Sequence, residues 1–433
     1  MALSPIPKQG GGWLDPTDPA FPTIQYLLST QGIRDRCHYL FELARANQLA
    51  HFRCELSQLE TVADYVIQTM QQTYPTGNIP IHSRWRHFEA GGINRIATLN
   101  ERLAMMDPVE AARSHIDLVV TSVLLDAGAG ANWYYHEAET GQVFQRSEGL
   151  AVASFHLFLQ GGFSSCADRP WQADAIGLQQ FTTDRLQQSF QVTDTNPLVG
   201  VAGRVALMQR LGAALYQSPE LFGVNLPRPG NLVDYLLRNA VSSTQAGTIA
   251  MVPASQLLAA ILRGFGSIWA GRLTLAGVNL GDVWPHSALP DRGLGAQLVP
   301  FHKLSQWLTY SLVEPLQLAG ITVTDLEYLT GLPEYRNGGL FVDLGVLRPK
   351  YPEVTGQPHT PGSEPIVEWR ALTVALLDRL ADLVRCRLGL TAAKFPLAKL
   401  LEGGTWAAGR RIARELRPGG VPPIQIVSDG TVF

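Results

Sequence analysis

"PFHKLSQWLTYSLVEPL", Pro300–Leu316, carries two stripes at helical spacing. Lys303, Gln306, Tyr310 and Glu314 recur at steps of three and four, which at about 100° per residue puts them on one face. Phe301, Leu304, Leu308 and Leu312 cover the opposite side. The segment reads as a helix with one apolar flank. Its polar flank holds one cation, one amide, one phenol and one anion. A solvated helix face usually carries several Lys and Glu residues. Surface and pocket wall therefore both remain open readings of this stripe.

Working outward, the same period recurs through most of the chain. It runs over Thr23–Tyr74 (Ile24, Leu27, Leu28, then Leu56, Leu59, Val62, Val66), through "SEGLAVASFHLFL" with Ser147 as N-cap, and on towards Leu316. "VEWRALTVALLDRLADLVRCRLG" is a long amphipathic helix. Pro75–Pro80, "TNPLVG", "LPRPG" and "LGDVWPH" break the pattern, and Gly128 with Gly130 closes the helix ending in "IDLVVTSVLLDAGAG". "NWYYHEAETGQVFQR" reads as a hairpin around Glu139-Thr140-Gly141, and "IQIVSDGTVF" as another turning at Asp429-Gly430. The expected fold is mainly α, a helical bundle with short β-hairpins. Residues 1–75 form an N-terminal arm, irregular over 1–22, and helices. Residues 76–345 form a helical core carrying the site. Residues 346–433 form a C-terminal loop, long helix and terminal hairpin packed on that core.

Composition narrows the function classes. The chain has 433 residues, 46% of them hydrophobic and only 16% charged, which suits a large buried core. Net charge is -3, so no basic excess is available for a phosphate backbone, and nucleic acid is not an expected partner. Cys37, Cys54, Cys166 and Cys386 are scattered and form no disulfide ladder, which fits a reducing cytoplasm. The N-terminus lacks a signal pattern, and no apolar run is long enough for a membrane span. A cytoplasmic protein without a membrane partner is expected. Composition is silent on oligomeric state.

Four stretches carry candidate chemistry. In "LTGLPEYRNGGLF", residues 329–341, Glu334, Tyr335, Arg336 and Asn337 sit among Gly and Pro, as polar groups on a pocket loop do. In "HSRWRHFEAGGINR", read as extended, His82, Arg84 and Arg86 point one way. Their guanidinium forks suit a phosphate or carboxylate, or else a structural ion-pair network. Around the hairpin lie Asp117, Asp126, Trp133, Tyr134, Arg146 and Glu148. Asp126 faces the negative end of a helix and needs a cation, for which Arg146 is placed. "GGTWAAGRR" (403–411) and "NPLVGVAGR" (196–204) can each open a helix towards an anion, and close helix packing explains their glycines equally well. His51 and Cys54 have helix spacing, but no second pair follows at a zinc interval, so no metal and no cofactor is expected.

Taken together, "HSRWRHFEAGG", "SVLLDAGAG", "RSEGLAVAS", "VPFHKLSQWLTYSL", "LTGLPEYRNGGLF", "VEWRALTVALLDR" and "LEGGTWAAGR" resemble the uracil-catabolism family of fungi and bacteria, from about Arg34 to Phe433. That resemblance implies a route in which uracil becomes its ribosyl phosphate, the ring is opened, and a ribosylurea releases urea. A more distant likeness points to a step. The queuosine-nucleotide salvage glycosidases pair a Lys-Arg-x-Gln helix with an Asp-Tyr-Arg loop. "HKLSQ" and "PEYRN" are similar in order, with Glu in place of Asp and Leu after Lys303. This likeness implies a helical fold of the DNA-glycosylase type and an N-glycosidase. Glu334 would stabilise an oxocarbenium-like sugar and activate water. Asp126 is the second candidate catalytic carboxylate. Lys303 and Arg336, with Arg84 and Arg86 opposite, would hold a 5-phosphate. Gln306, Tyr310, Tyr335, His82, Trp133 and Arg146 complete the candidate binding set. The small-molecule partner would be a nucleoside or nucleotide derivative. A non-catalytic nucleotide-binding scaffold or regulator of the same route is the alternative.

Overall fold

The computed structural model describes residues 5–8, 12–130, 132–243, 249–269 and 273–427. The long amphipathic segment forms the helix Glu364–Leu388, closed by Gly389 at φ +65°, a left-handed position that favours glycine. Ile366, Leu372, Leu376, Leu380 and Val384 are buried along it. It packs against the helix Thr30–Arg45, whose N-cap Ser29 Oγ accepts the Gly32 N–H at 3.0 Å. Leu347–Pro349 pairs antiparallel with Phe52–Cys54, so early and late parts of the chain share a strand pairing. One apolar core runs from Ile33 to Ile424. A smaller one joins Phe21, Ile24 and Leu27 to Val278 and Val283. The fold is mainly helical, and its described strands form only two- and three-stranded sheets.

Lys303–Leu318 is a helix, packed against the helix Pro108–Leu124. Both of its stripes are inside: Leu308 and Leu312 are buried, and so are Gln306 and Tyr310. Its first turn is anchored by Asp282, whose carboxylate accepts the Lys303 backbone N–H at 3.0 Å and two Arg370 guanidinium bonds at 2.8 Å. The Arg370 charge and these bonds hold Asp282 well below the usual carboxylate range, against its own burial.

Several local expectations are corrected. Within 1–22, Ile6–Pro7 pairs antiparallel with Trp13–Leu14, so this arm is not wholly irregular. Arg84–His87 is a helical turn, not an extended segment, because Arg84 and Arg86 are drawn to acids on different sides. Phe52–Cys54 is a strand, which removes the helix spacing of His51 and Cys54. The helix after the hairpin begins at Arg146 with Gln145 as N-cap, one residue before Ser147 can act as one. The hairpin itself forms, Tyr134–His136 against Val143–Gln145. The Asp429-Gly430 turn lies outside the described residues. Among the described residues, no helix is long and apolar enough to cross a membrane.

Candidate functional site

Two carboxylates and one lysine make the centre of the site. The helix Pro108–Leu124 ends just before Asp126. The cation that offsets this position is Arg84, not Arg146. Arg84 Nη1 donates to Asp126 Oδ1 at 2.6 Å, with side chains 0% and 7% exposed. Arg84 also donates to Ser122 Oγ at 2.7 Å and to the Ser147 carbonyl at 3.0 Å. Loss of water pushes the Asp126 carboxyl up and the Arg84 guanidinium down, and each partner's charge opposes that shift. Arg204, on the helix Val201–Gln217, donates to the carbonyls of Leu125 (3.0 Å), Ala127 and Gly128 (3.1 Å). "NPLVGVAGR" thus supplies a clamp on the loop after Asp126.

Glu334 is the N-cap of the helix Tyr335–Asp343, so its segment is less of a free loop than its Gly and Pro imply. Its carboxylate accepts the Arg336 N–H at 2.8 Å and the Asn337 N–H at 2.6 Å. Each oxygen keeps a second lone pair. Burial depresses the Lys303 pKa, and the charges of Glu334, Asp126 and, more weakly, Asp282 oppose that shift. Lys303, Glu334 and Asp126 all stand at helix ends, and the charges of both carboxylates act on the ammonium.

An aromatic and basic wall stands beside this centre. The Arg336 guanidinium lies 4.7 Å from the Trp406 ring centre and 5.4 Å from that of Tyr335. Arg410 lies 5.6 Å from the same Trp406 ring and donates to Glu148 at 2.7 Å. His87 packs between Trp307 and Trp406, at 5.9 and 6.1 Å. Burial, with Arg84 adjoining, pushes its pKa down to about 3. His82 Nδ1 is 2.6 Å from Glu402. The wall is possible because Gly409 has no side chain: a Cβ there would lie 2.2 Å from the Arg336 carbonyl oxygen. The glycine of "GGTWAAGRR" serves close helix packing.

Other candidates hold the frame. Gln306 Nε2 donates to Thr330 Oγ1 at 2.6 Å, Gln306 Oε1 accepts the Thr330 N–H at 2.9 Å, and the Tyr310 hydroxyl donates to the Thr330 carbonyl at 3.1 Å. Both side chains are fully buried, so they position the segment leading to Glu334. Trp133 is also buried, its Nε1 donating to the Phe190 carbonyl at 2.9 Å. Arg86 bonds Glu314 and Glu89. Asp117 is tied to Arg228, and burial raises its pKa to about 6. Arg146 adopts φ +55° and donates to the Gly419 carbonyl at 3.2 Å.

Two cavities adjoin these residues. One, of about 280 Å³, is lined by Ala127, Ser147, Leu150, Tyr335 and Ile424. The other, of about 600 Å³, is lined by Phe144, Glu148, Arg410 and Arg414. Arg146 lines both. Trp406, Arg410 and Arg414 were not singled out from the sequence. Their spacing of four on "WAAGRRIAREL" is the signal that puts them on one helix face.

The family described as "Protein of unknown function (DUF1688)" matches residues 26–433. The chain is 41% identical over 440 residues to "Uracil catabolism protein 4" of Lachancea kluyveri, covering 95% of this chain and 99% of that one. It is 40% identical over 420 residues to "Protein urg3" of Schizosaccharomyces pombe, again covering 95% and 99%.

Proposed function

The chain belongs to the DUF1688 family, and we propose that it acts in uracil catabolism by hydrolysing the N-glycosidic bond of a ribosylurea-type, 5-phosphorylated compound. A relative's name supports the route. One observation carries the chemistry: Tyr335 and Ala127, the residues that follow Glu334 and Asp126, line one small cavity together with Ser147, and the charges of both carboxylates act on Lys303.

Breaking a glycosidic C–N bond builds positive charge on the sugar ring. Glu334, held by two backbone N–H groups, would face that charge and take a proton from the attacking water through its free lone pair. The water oxygen bonds to the anomeric carbon as the C–N bond breaks. The departing urea nitrogen keeps the bond's electron pair and takes up the proton that Glu334 received, while Asp126, ion-paired with Arg84, would add negative charge to the site. Lys303 would keep the two carboxyl groups at a fixed separation. Products are urea and ribose phosphate.

The test is urea release from synthetic ribosylurea 5-phosphate by the purified chain. Glu334→Gln should keep ligand binding and lose roughly 10²–10⁴-fold in turnover. No urea above background at high enzyme concentration sinks the hydrolase reading. Binding that persists without any turnover would then favour a nucleotide-binding regulator.

A further inference from the structure

We propose that Arg146, Arg336, Arg410 and Arg414 form the binding site for the phosphate monoester of the ligand, at the cleft lined by Arg146, Arg410 and Arg414, which shares Arg146 with the small cavity lined by Tyr335. This deepens the glycosidase reading and rests on it only for the rest of the ligand. Arg336 carries the argument. It is 7% exposed, yet its guanidinium has no hydrogen-bond acceptor among the described residues. Among the described residues it leans on the rings of Trp406 and Tyr335. Its guanidinium nitrogens are not sealed from water, so they stay open to an incoming anion whose oxygens the fork can grip.

Arg336 is not alone. Arg410 shares its Trp406 ring. Arg414 follows one turn later on the same helix face, and Arg146 lines the cleft from the opposite helix. Crowding by Arg410, together with partial burial, Arg146 and Arg336, holds the Arg414 guanidinium below its ordinary pKa. Glu148 is the acid among them, and it is bonded to Arg410. Four cations against one carboxylate leave an excess that fits a dianion, and guanidinium forks match phosphate oxygens. The left-handed backbone of Arg146, unusual for a non-glycine residue, turns the chain into helix at the residue that lines both cavities. Arg84 and Arg86 do not contribute, because Asp126 and Glu314 already occupy them.

Calorimetric titration with ribose 5-phosphate and with ribose tests this without any turnover. The intact chain should bind the phosphate and show at least tenfold weaker binding of ribose. Arg336→Gln and Arg414→Gln should each weaken ribose 5-phosphate by roughly ten- to hundredfold. Arg414 is exposed, so its variant folds even where the Arg336 variant is destabilised. Unchanged affinity in Arg414→Gln, or equal affinity of the intact chain for ribose and ribose 5-phosphate, overturns the site. Phosphate-selective binding with no urea release from any ribosylurea keeps this site and removes the glycosidase. Urea release at equal rates with and without the 5-phosphate removes this site and keeps the glycosidase.

Discussion

Gly409→Ala should open the contact between two helices and misplace the candidate site. The helix Trp406–Leu416 crosses Tyr335–Asp343 at this glycine. An added Cβ would meet Arg336 backbone at 2.2 Å (O), 2.8 Å (C) and 3.3 Å (Cα). All three are main-chain atoms, so no rotamer change relieves them. Ordinary contact begins at 3.4 Å, so the helices must separate by about 1.2 Å. Overpacking of this kind costs about 1–3 kcal/mol. Better helix propensity of Ala returns up to about 1 kcal/mol. With that offset in full, the net expectation is a loss of up to about 2 kcal/mol and a fall of at most a few degrees in Tm. Function should suffer more. The separation moves Trp406 and Arg410 away from Arg336 and Glu334, and a misplacement near 1 Å costs on the order of 10²-fold in rate. Gly266→Ala is the control, since nothing lies within 4 Å of a Cβ there. Urea denaturation and turnover of both variants decide the matter. A Gly409→Ala protein as stable and active as the parent would refute the claim that this contact sets the site.

Buried neutral histidines, His87 and His115 among them, make acid stability a second expectation. Burial holds His87 at about 3 and His115 at about 4. With pKa depressed in the folded state, the unfolded chain takes up the protons first, so stability is lost as pH falls below about 6.5, by about 2 kcal/mol per histidine at pH 5. Urea titrations at pH 7 and pH 5 should show the drop, and His115→Gln should shrink it; identical pH slopes in both proteins argue against buried neutral imidazoles. Third, Arg84→Met strands the Asp126 carboxylate and should cost about 3–5 kcal/mol, while the double variant with Asp126→Leu should recover much of it. A single-variant loss below about 1 kcal/mol would mean that water reaches the pair freely.

The mainly helical class was legible because apolar spacing is a local property. Phe301, Leu304, Leu308 and Leu312 state it within a few turns. The hairpin at Glu139-Thr140-Gly141 was legible for the same reason, since a turn and its alternating flanks are neighbours in the chain. Lys303, Glu334, Asp126, Arg336 and Arg146 were also visible as polar residues out of place. Their partners were not. Arg84 and Arg86 are two residues apart, yet one meets Asp126 and the other Glu314. Gln306 and Tyr310 share the stripe of Lys303, yet both close on Thr330 instead of lining the cavity. Helical period says which side chains share a face, not what packs against that face. The convergence of the Glu334 and Asp126 charges on Lys303, and the gathering of Arg336 and Arg410 around Trp406, arise where helix ends meet across tens of residues to well over a hundred. Burial then decides which of those charges find an acceptor and which are left facing a cleft.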